Sequence, residues 1–176
     1  SELTTWWFNR SMNNMKFAPD VKMVTAMIQS MKGTGSIDSA LSFIRQMERD
    51  HGIRADELLM NSLLNCCNSF DQAMSTLRLI ETEFNTCPNT FHCSTLIKLA
   101  QNESDLQSVT TLMQQRGVPL SNVTFTEIIT FYCRQNRRDH ALVVYQHLKS
   151  LAERNSELNP TIFTVSQLLS AFKDDA

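Results

Sequence analysis

The amino-acid sequence predicts an all-α solenoid, built by stacking antiparallel helix–turn–helix repeats. Three observations support this fold class. An apolar residue pair recurs along the chain, and a loop-to-helix junction lies upstream of each pair. The composition also favours helix over sheet, because only 4 Gly and 4 Pro interrupt a chain of 176 residues that is 42% hydrophobic.

The apolar pairs divide the chain into repeats. In chain order they are Met27-Ile28, Leu63-Leu64, Leu96-Ile97, Ile128-Ile129 and Leu168-Leu169. Their first members are separated by 36, 33, 32 and 40 residues, and the last step is long because residues 151–159 carry an insertion. The spacing predicts a single domain with about four full repeats, at 19–54, 55–87, 88–119 and 120–159, flanked by half repeats at 3–18 and 160–176.

Each junction carries residues that begin a helix. The junctions are Pro19-Asp20, Ala55-Asp56, Pro88-Asn89, Leu120-Ser121 and Pro160-Thr161. Proline suits the first helical turn, and Asp, Asn, Ser and Thr side chains can cap its free N–H groups. Gly52 and Gly117 follow second helices, at the position that favours a left-handed residue.

Two helices are predicted within each repeat. In the first repeat they cover 19–32 and 37–50, in the fourth 123–135 and 139–152, and a last first helix covers 161–172. The second repeat is short at its turn, residues 68–70. A small side chain recurs on the second helices and would let paired helices approach closely, at Ala40, Ala73, Val109 and Ala141.

Charge and motifs exclude several classes of protein. The formal net charge of −2 is not that of a strongly basic nucleic-acid binder, and no apolar run is long enough to span a membrane. The five cysteines are irregularly spaced, which favours buried free thiols over disulfides or zinc. The four histidines show no metal-ligand spacing, and no nucleophile or phosphate-loop motif is present. We therefore expect no catalysis, metal, cofactor or small-molecule substrate.

Residues 122–134 and 88–97, together with Asn61-Ser62-Leu63-Leu64, resemble the first helix of a pentatricopeptide repeat. The resemblance extends from Pro19 to Phe172. It implies a right-handed superhelical solenoid that binds single-stranded RNA, with roughly one base read by each repeat. Members of this family act in mitochondria or chloroplasts, so the resemblance also implies an organellar location.

The resemblance assigns three kinds of RNA-contacting position. The polar residues on the first helices, which read the bases, are Thr25, Asn61, Ser94, Thr126 and Ser166. Their partners at the junction closing each repeat are Asp56, Asn89, Ser121 and Thr161. The apolar side chains expected to stack beside the bases are Leu58, Phe91, Val123 and Phe163, whereas the first repeat has Lys22 there.

By the same resemblance, Thr25 with Asp56 implies guanine, and Asn61 with Asn89 implies a pyrimidine. Ser94 with Ser121 and Thr126 with Thr161 depart from the common pairings, and their preference stays open. A second function also stays open. The near-neutral charge is compatible with a non-catalytic scaffold that binds protein subunits of an organellar ribosome or membrane complex.

Overall fold

The computed structural model describes residues 10, 19–33 and 36–172. These residues form nine α-helices and one 3-10 turn, and no strand occurs among them. The described part of the chain divides into two compact units, one ending at Thr86 and one beginning at Cys87. The predicted half repeat at 3–18 lies outside the described residues, except for Arg10.

Between residues 19 and 86, the described residues of the first unit form four helices: α1 (Val21–Ser30), α2 (Ile37–His51), α3 (Glu57–Leu64) and α4 (Phe70–Glu83). The first helices α1 and α3 pack against each other, α2 contacts both, and α3 contacts α4. The short α3 ends just before the turn that was predicted to be short. The core of this unit consists of fully buried apolar side chains, among them Ile28, Ile44, Leu59, Met60, Leu63, Leu64, Leu77 and Ile80.

The second unit contains α5 (Thr90–Leu99), α6 (Glu103–Arg116), α7 (Asn122–Arg134), α8 (Arg138–Ala152), a 3-10 turn (Ser156–Leu158) and α9 (Ile162–Ala171). The first helices α5, α7 and α9 pack in series, while α6 packs on α5 and α8 packs on α7. The buried residues Phe125, Ile129, Ala141, Leu148 and Leu168 form one cluster of the core.

The helix ends follow the predicted signals. Asp20, Asp56, Asn89, Ser121 and Thr161 are the N-caps of the five first helices. Gly52 and Gly117 close α2 and α6 in the left-handed conformation, with φ of 66° and 65°. Each first helix begins right after its cap because the cap residue has extended backbone angles.

The predicted apolar pairs and small residues are buried, with one exception. Ala40, Ala73, Val109 and Ala141 are all buried, as close approach of paired helices requires. Leu169, the second member of the last pair, is 65% exposed. The first member, Leu168, packs into the core cluster, so only one side of α9 is covered by the described residues.

The cysteines are free thiols, and no disulfide joins them. Cys66, Cys67 and Cys93 are buried as predicted, and burial raises the pKa of the Cys93 thiol to about 11. The prediction of burial is wrong for Cys87, which is exposed in the loop before α5. Within the described ranges, no helix is long and apolar enough to cross a membrane, and no metal-binding group of three or more His, Cys, Asp or Glu side chains occurs.

Candidate nucleic-acid interface

The predicted base-reading residues occupy one equivalent position. Thr25, Asn61, Ser94, Thr126 and Ser166 are each the fifth residue of their first helix. Their environments differ. Thr25, Ser94 and Thr126 are buried, Asn61 is half-buried, and Ser166 is exposed. A shared helical position therefore does not produce a shared accessibility.

The three buried hydroxyl groups bond to their own helix. Thr25, Ser94 and Thr126 each donate to the carbonyl oxygen four residues earlier, at 2.8 Å. A hydroxyl group that donates its single hydrogen internally keeps lone pairs that can accept a further bond. These side chains can therefore meet a ligand as acceptors without losing the bond to the helix.

The predicted partners combine two roles. Asp56, Asn89, Ser121 and Thr161 each accept a hydrogen bond from the backbone N–H three residues on, at 2.8–3.3 Å. Capping fixes the orientation of each side chain relative to the first turn of its helix. A residue placed there would contact RNA from a rigid position, because its rotamer is already held by the cap.

The predicted stacking residues are exposed although they are large and apolar. Leu58, Phe91, Val123 and Phe163 are each the second residue of a first helix and are 59%, 63%, 46% and 56% exposed. Lys22 holds the same position in α1 and is also exposed. Four apolar side chains exposed at one repeating position form a series that core packing does not explain.

Within the second unit, one pocket joins several of the predicted residues. It encloses about 150 Å³ between the first turns of α7 and α9, and Val123, Thr126, Thr161 and Phe163 line it. Val123 and Phe163 contribute apolar surface, and Thr126 and Thr161 contribute hydroxyl oxygens. The structure therefore places the predicted reading residue of the fourth repeat and its partner around one small cavity, with the predicted stacking residues of the fourth repeat and of the last half repeat.

Two residues of this pocket were missed by the sequence analysis. Asn122 and Glu127 also line it. Asn122 Nδ2 donates to the carbonyl oxygen of Asn159, in the insertion that precedes α9. Glu127 follows Thr126 directly, and its side chain is only 11% exposed. The sequence signal for Glu127 was its position directly after Thr126, the predicted base-reading residue.

The basic residues near the pocket have partners within the second unit. Lys98 Nζ lies 3.2 Å from Glu127 Oε1. Arg134 donates to the carbonyl oxygens of Lys98 and Ala100 at 3.0 and 3.5 Å, and so caps the end of α5. Burial raises the pKa of the Glu127 carboxyl, while Lys98 and Arg134 partly lower it. Lys98 and Arg134 thus serve the packing of α5 on α7.

The other predicted pairs stay predictions. Asn61 belongs to the first unit and Asn89 to the second, so their pairing stays a prediction. For Thr25 with Asp56 and Ser94 with Ser121, the structure establishes the helix positions and the caps. The assignment of RNA contacts to these residues also stays a prediction.

The repeating pairs of capped antiparallel helices define a helical-repeat protein. Residues 108–175 match the family described as the pentatricopeptide repeat domain. Across 148 residues, the chain is 27% identical to the pentatricopeptide repeat-containing protein At3g13880 of Arabidopsis thaliana. This match covers 81% of the chain but 18% of that relative.

Solved structures show the same fold. A crystal structure of the pentatricopeptide repeat protein PPR10 in complex with an 18-nt psaJ RNA element matches with a TM-score of 0.58 and 22% identity. The match covers 93% of this chain and 23% of that one, and the RNA complex of a cysteine-to-serine variant of PPR10 matches equally well. The predicted all-α solenoid class is confirmed, and so is the predicted resemblance to pentatricopeptide repeat proteins, whose family model matches residues 108–175.

Proposed function

We propose that this chain binds single-stranded RNA through the first turns of its first helices. The observation that carries the proposal is the pocket between α7 and α9, where two exposed apolar side chains flank two hydroxyl groups. Apolar side chains stack on the face of any base, and polar groups between them can contact its edge. The RNA complex of PPR10, a protein with the same fold, supports this assignment.

The finer parts of the proposal rest on the family. We propose a role in RNA processing, stability or translation within a mitochondrion or plastid, and no catalytic step by this chain. The preference of Thr25 with Asp56 for guanine and of Asn61 with Asn89 for a pyrimidine belongs to the same proposal. The chain spans about one fifth of the proteins that it matches, so these roles concern a repeat segment.

Stacking rather than charge should supply most of the affinity. The net charge is −2, and Lys98 and Arg134 already bond within the second unit. With about 1–3 kcal/mol per stacked base, four repeats supply roughly 4–8 kcal/mol after ordering costs, which corresponds to millimolar to micromolar affinity. We expect a shallow dependence on salt, since few phosphates would be neutralised.

The test is fluorescence anisotropy with short labelled single-stranded RNAs of different base content, at two salt concentrations. We expect binding in the millimolar to micromolar range that depends on the RNA sequence. Asn61→Ala should weaken binding to one RNA more than to others, because it removes an edge-reading amide. Absence of binding up to about 1 mM of the chain, with helicity intact by circular dichroism, would refute the proposal.

A scaffold role is the second candidate, and α9 favours it. Ile162 is 90% exposed and Leu169 is 65% exposed. Both border a surface cavity of about 530 Å³ that Val165 and Phe172 also line. An exposed apolar patch of this kind can bind protein. The same anisotropy experiment separates the candidates, because a scaffold that binds only protein would show no selective binding to RNA.

A further inference from the structure

Thr164 connects Thr126, the predicted reading residue of the fourth repeat, with Thr161, its predicted partner. It is the third residue of α9 and is completely buried. Its Oγ1 lies 2.7 Å from Thr126 Oγ1 and 3.0 Å from Thr161 Oγ1. Thr126 Oγ1 in turn lies 2.8 Å from the carbonyl oxygen of Asn122. Three hydroxyl groups and one carbonyl group therefore form a continuous chain of hydrogen bonds behind the pocket.

The direction of this chain follows from counting hydrogens, because each hydroxyl group has one to donate. The Asn122 carbonyl can only accept, so Thr126 donates to it. Thr164 then donates to Thr126, and Thr161 donates to Thr164. In this direction, all three hydroxyl hydrogens have an acceptor within the protein. The reverse direction would leave the Thr161 hydrogen without one.

Thr126 donates its hydrogen within the protein in either direction, so its hydroxyl group can only accept a hydrogen bond from a ligand. In the direction that gives every hydroxyl hydrogen an internal acceptor, the same holds for Thr161. Thr126 has used its hydrogen and one lone pair, and its second lone pair makes no hydrogen bond to the described residues. Thr161 has likewise used its hydrogen, and one of its lone pairs accepts from the backbone N–H of Thr164 at 3.2 Å.

Two further oxygen groups of the pocket residues also accept, while Asn122 Nδ2 donates to the carbonyl oxygen of Asn159. Glu127 contributes a carboxylate, which has no hydrogen to donate when ionised. The amide oxygen of Asn122 is buried and has no hydrogen-bond partner among the described residues. Buried acceptors are normally satisfied, so an acceptor in this state at the wall of a pocket fits a ligand that brings donors.

We infer that Thr164 is a positioning residue that makes the fourth-repeat pocket selective for a base with an exocyclic amino group. Adenine, cytosine and guanine carry such a group, whereas uracil presents two carbonyl oxygens beside a single N–H. Uracil would therefore direct carbonyl oxygens at an acceptor-lined wall. This inference rests on the proposed function, and it gives a preference to the pair Thr126 and Thr161, which the family resemblance leaves open.

The experiment compares RNAs that differ by one amino group. One adenosine is moved stepwise through a short labelled oligouridine, and at the best position it is replaced by purine riboside, which lacks the amino group but stacks similarly. Affinity is measured by anisotropy for the unmodified chain, Thr164→Val and Thr164→Ser. Valine keeps the branched shape without the hydroxyl group, and serine keeps the hydroxyl group.

We expect removal of the amino group to weaken binding to the unmodified chain about fivefold, the net worth of one hydrogen bond. The same replacement should have little effect on Thr164→Val, whereas Thr164→Ser should retain the difference. Thr124→Val is the matched control, since Thr124 is the buried third residue of α7 and its hydroxyl group bonds only to Ser121. Thr124→Val should still bind the RNA with the amino group more tightly than the RNA without it, although this variant loses a similar amount of unfolding free energy.

Three results bear on the inference. An equal effect of the amino group in Thr164→Val and in the unmodified chain would overturn the role of Thr164. Tighter binding of oligouridine than of every adenosine-containing RNA would overturn the selectivity while RNA binding itself stands. Absence of binding to any RNA would overturn this inference together with the proposed function.

Discussion

Replacement of Phe163 by alanine separates a stacking role from a packing role. Phe163 is 56% exposed, so less than half of its surface contributes to folding. Full burial of such a side chain is worth about 1.5–3 kcal/mol, and Phe163→Ala should therefore cost roughly 1 kcal/mol of unfolding free energy. Loss of one stacked base costs about 1–3 kcal/mol of binding free energy, which is about a 5- to 150-fold weaker affinity.

The assay is RNA anisotropy beside urea denaturation, on Phe163→Ala and on Ile162→Ala. Ile162 is the adjacent residue and is 90% exposed, but it borders the other cavity rather than the pocket of Thr126. We expect Ile162→Ala to change neither the affinity nor the unfolding free energy noticeably. Stacking of Phe163 on a base would be refuted if both variants bound RNA equally weakly, or if Phe163→Ala bound RNA as tightly as the unmodified chain.

Three further predictions concern stability. The pKa of Cys93 is raised from 9.0 to about 11, so the unfolded chain loses this proton first and stability should fall as pH rises from 9.0 to about 11. The loss of unfolding free energy, measured by urea denaturation, is on the order of 2 kcal/mol. Cys93→Ala should lack this part of the pH dependence. If the pH dependence of Cys93→Ala were unchanged, the prediction would be contradicted. Arg134→Met should lower the unfolding free energy by about 1 kcal/mol and speed amide hydrogen exchange at the end of α5, because two carbonyl oxygens lose their donor. Unaltered exchange at the end of α5 would contradict this prediction. Gly117→Ala should lower the unfolding free energy by about 1 kcal/mol through its left-handed backbone alone, since a Cβ would meet no atom within 4 Å. Gly117→Asn should lower it less in the same urea denaturation assay. Equal losses in the two variants would contradict the backbone explanation.

The helix boundaries illustrate how far local signals reach. The first helix was predicted at 19–32, and α1 covers Val21–Ser30. The difference at its start arises because Asp20, the capping residue that the junction predicts, has extended backbone angles and therefore lies outside the helix, together with Pro19. The first helix of the fourth repeat was predicted at 123–135 and covers Asn122–Arg134, a shift of one residue.

The sequence by itself determined the fold class, the family resemblance and the equivalence of the predicted RNA-contacting positions. These properties depend on local features, namely helical periodicity, caps and recurrence, and local features can be read from neighbouring residues. The exposed series Leu58, Phe91, Val123 and Phe163 was recognisable for the same reason, because each residue follows its cap by two positions.

Only the tertiary structure decided what surrounds those positions. The burial of Thr126, its bond to Thr164 and the ion pair of Lys98 with Glu127 join residues that are 38 and 29 positions apart in the chain. Such contacts arise from the packing of α7 against α5 and α9, which no local pattern encodes. Hydrogen-bond direction in the pocket depends on these contacts, because a hydroxyl group donates or accepts according to which neighbours folding brings to it.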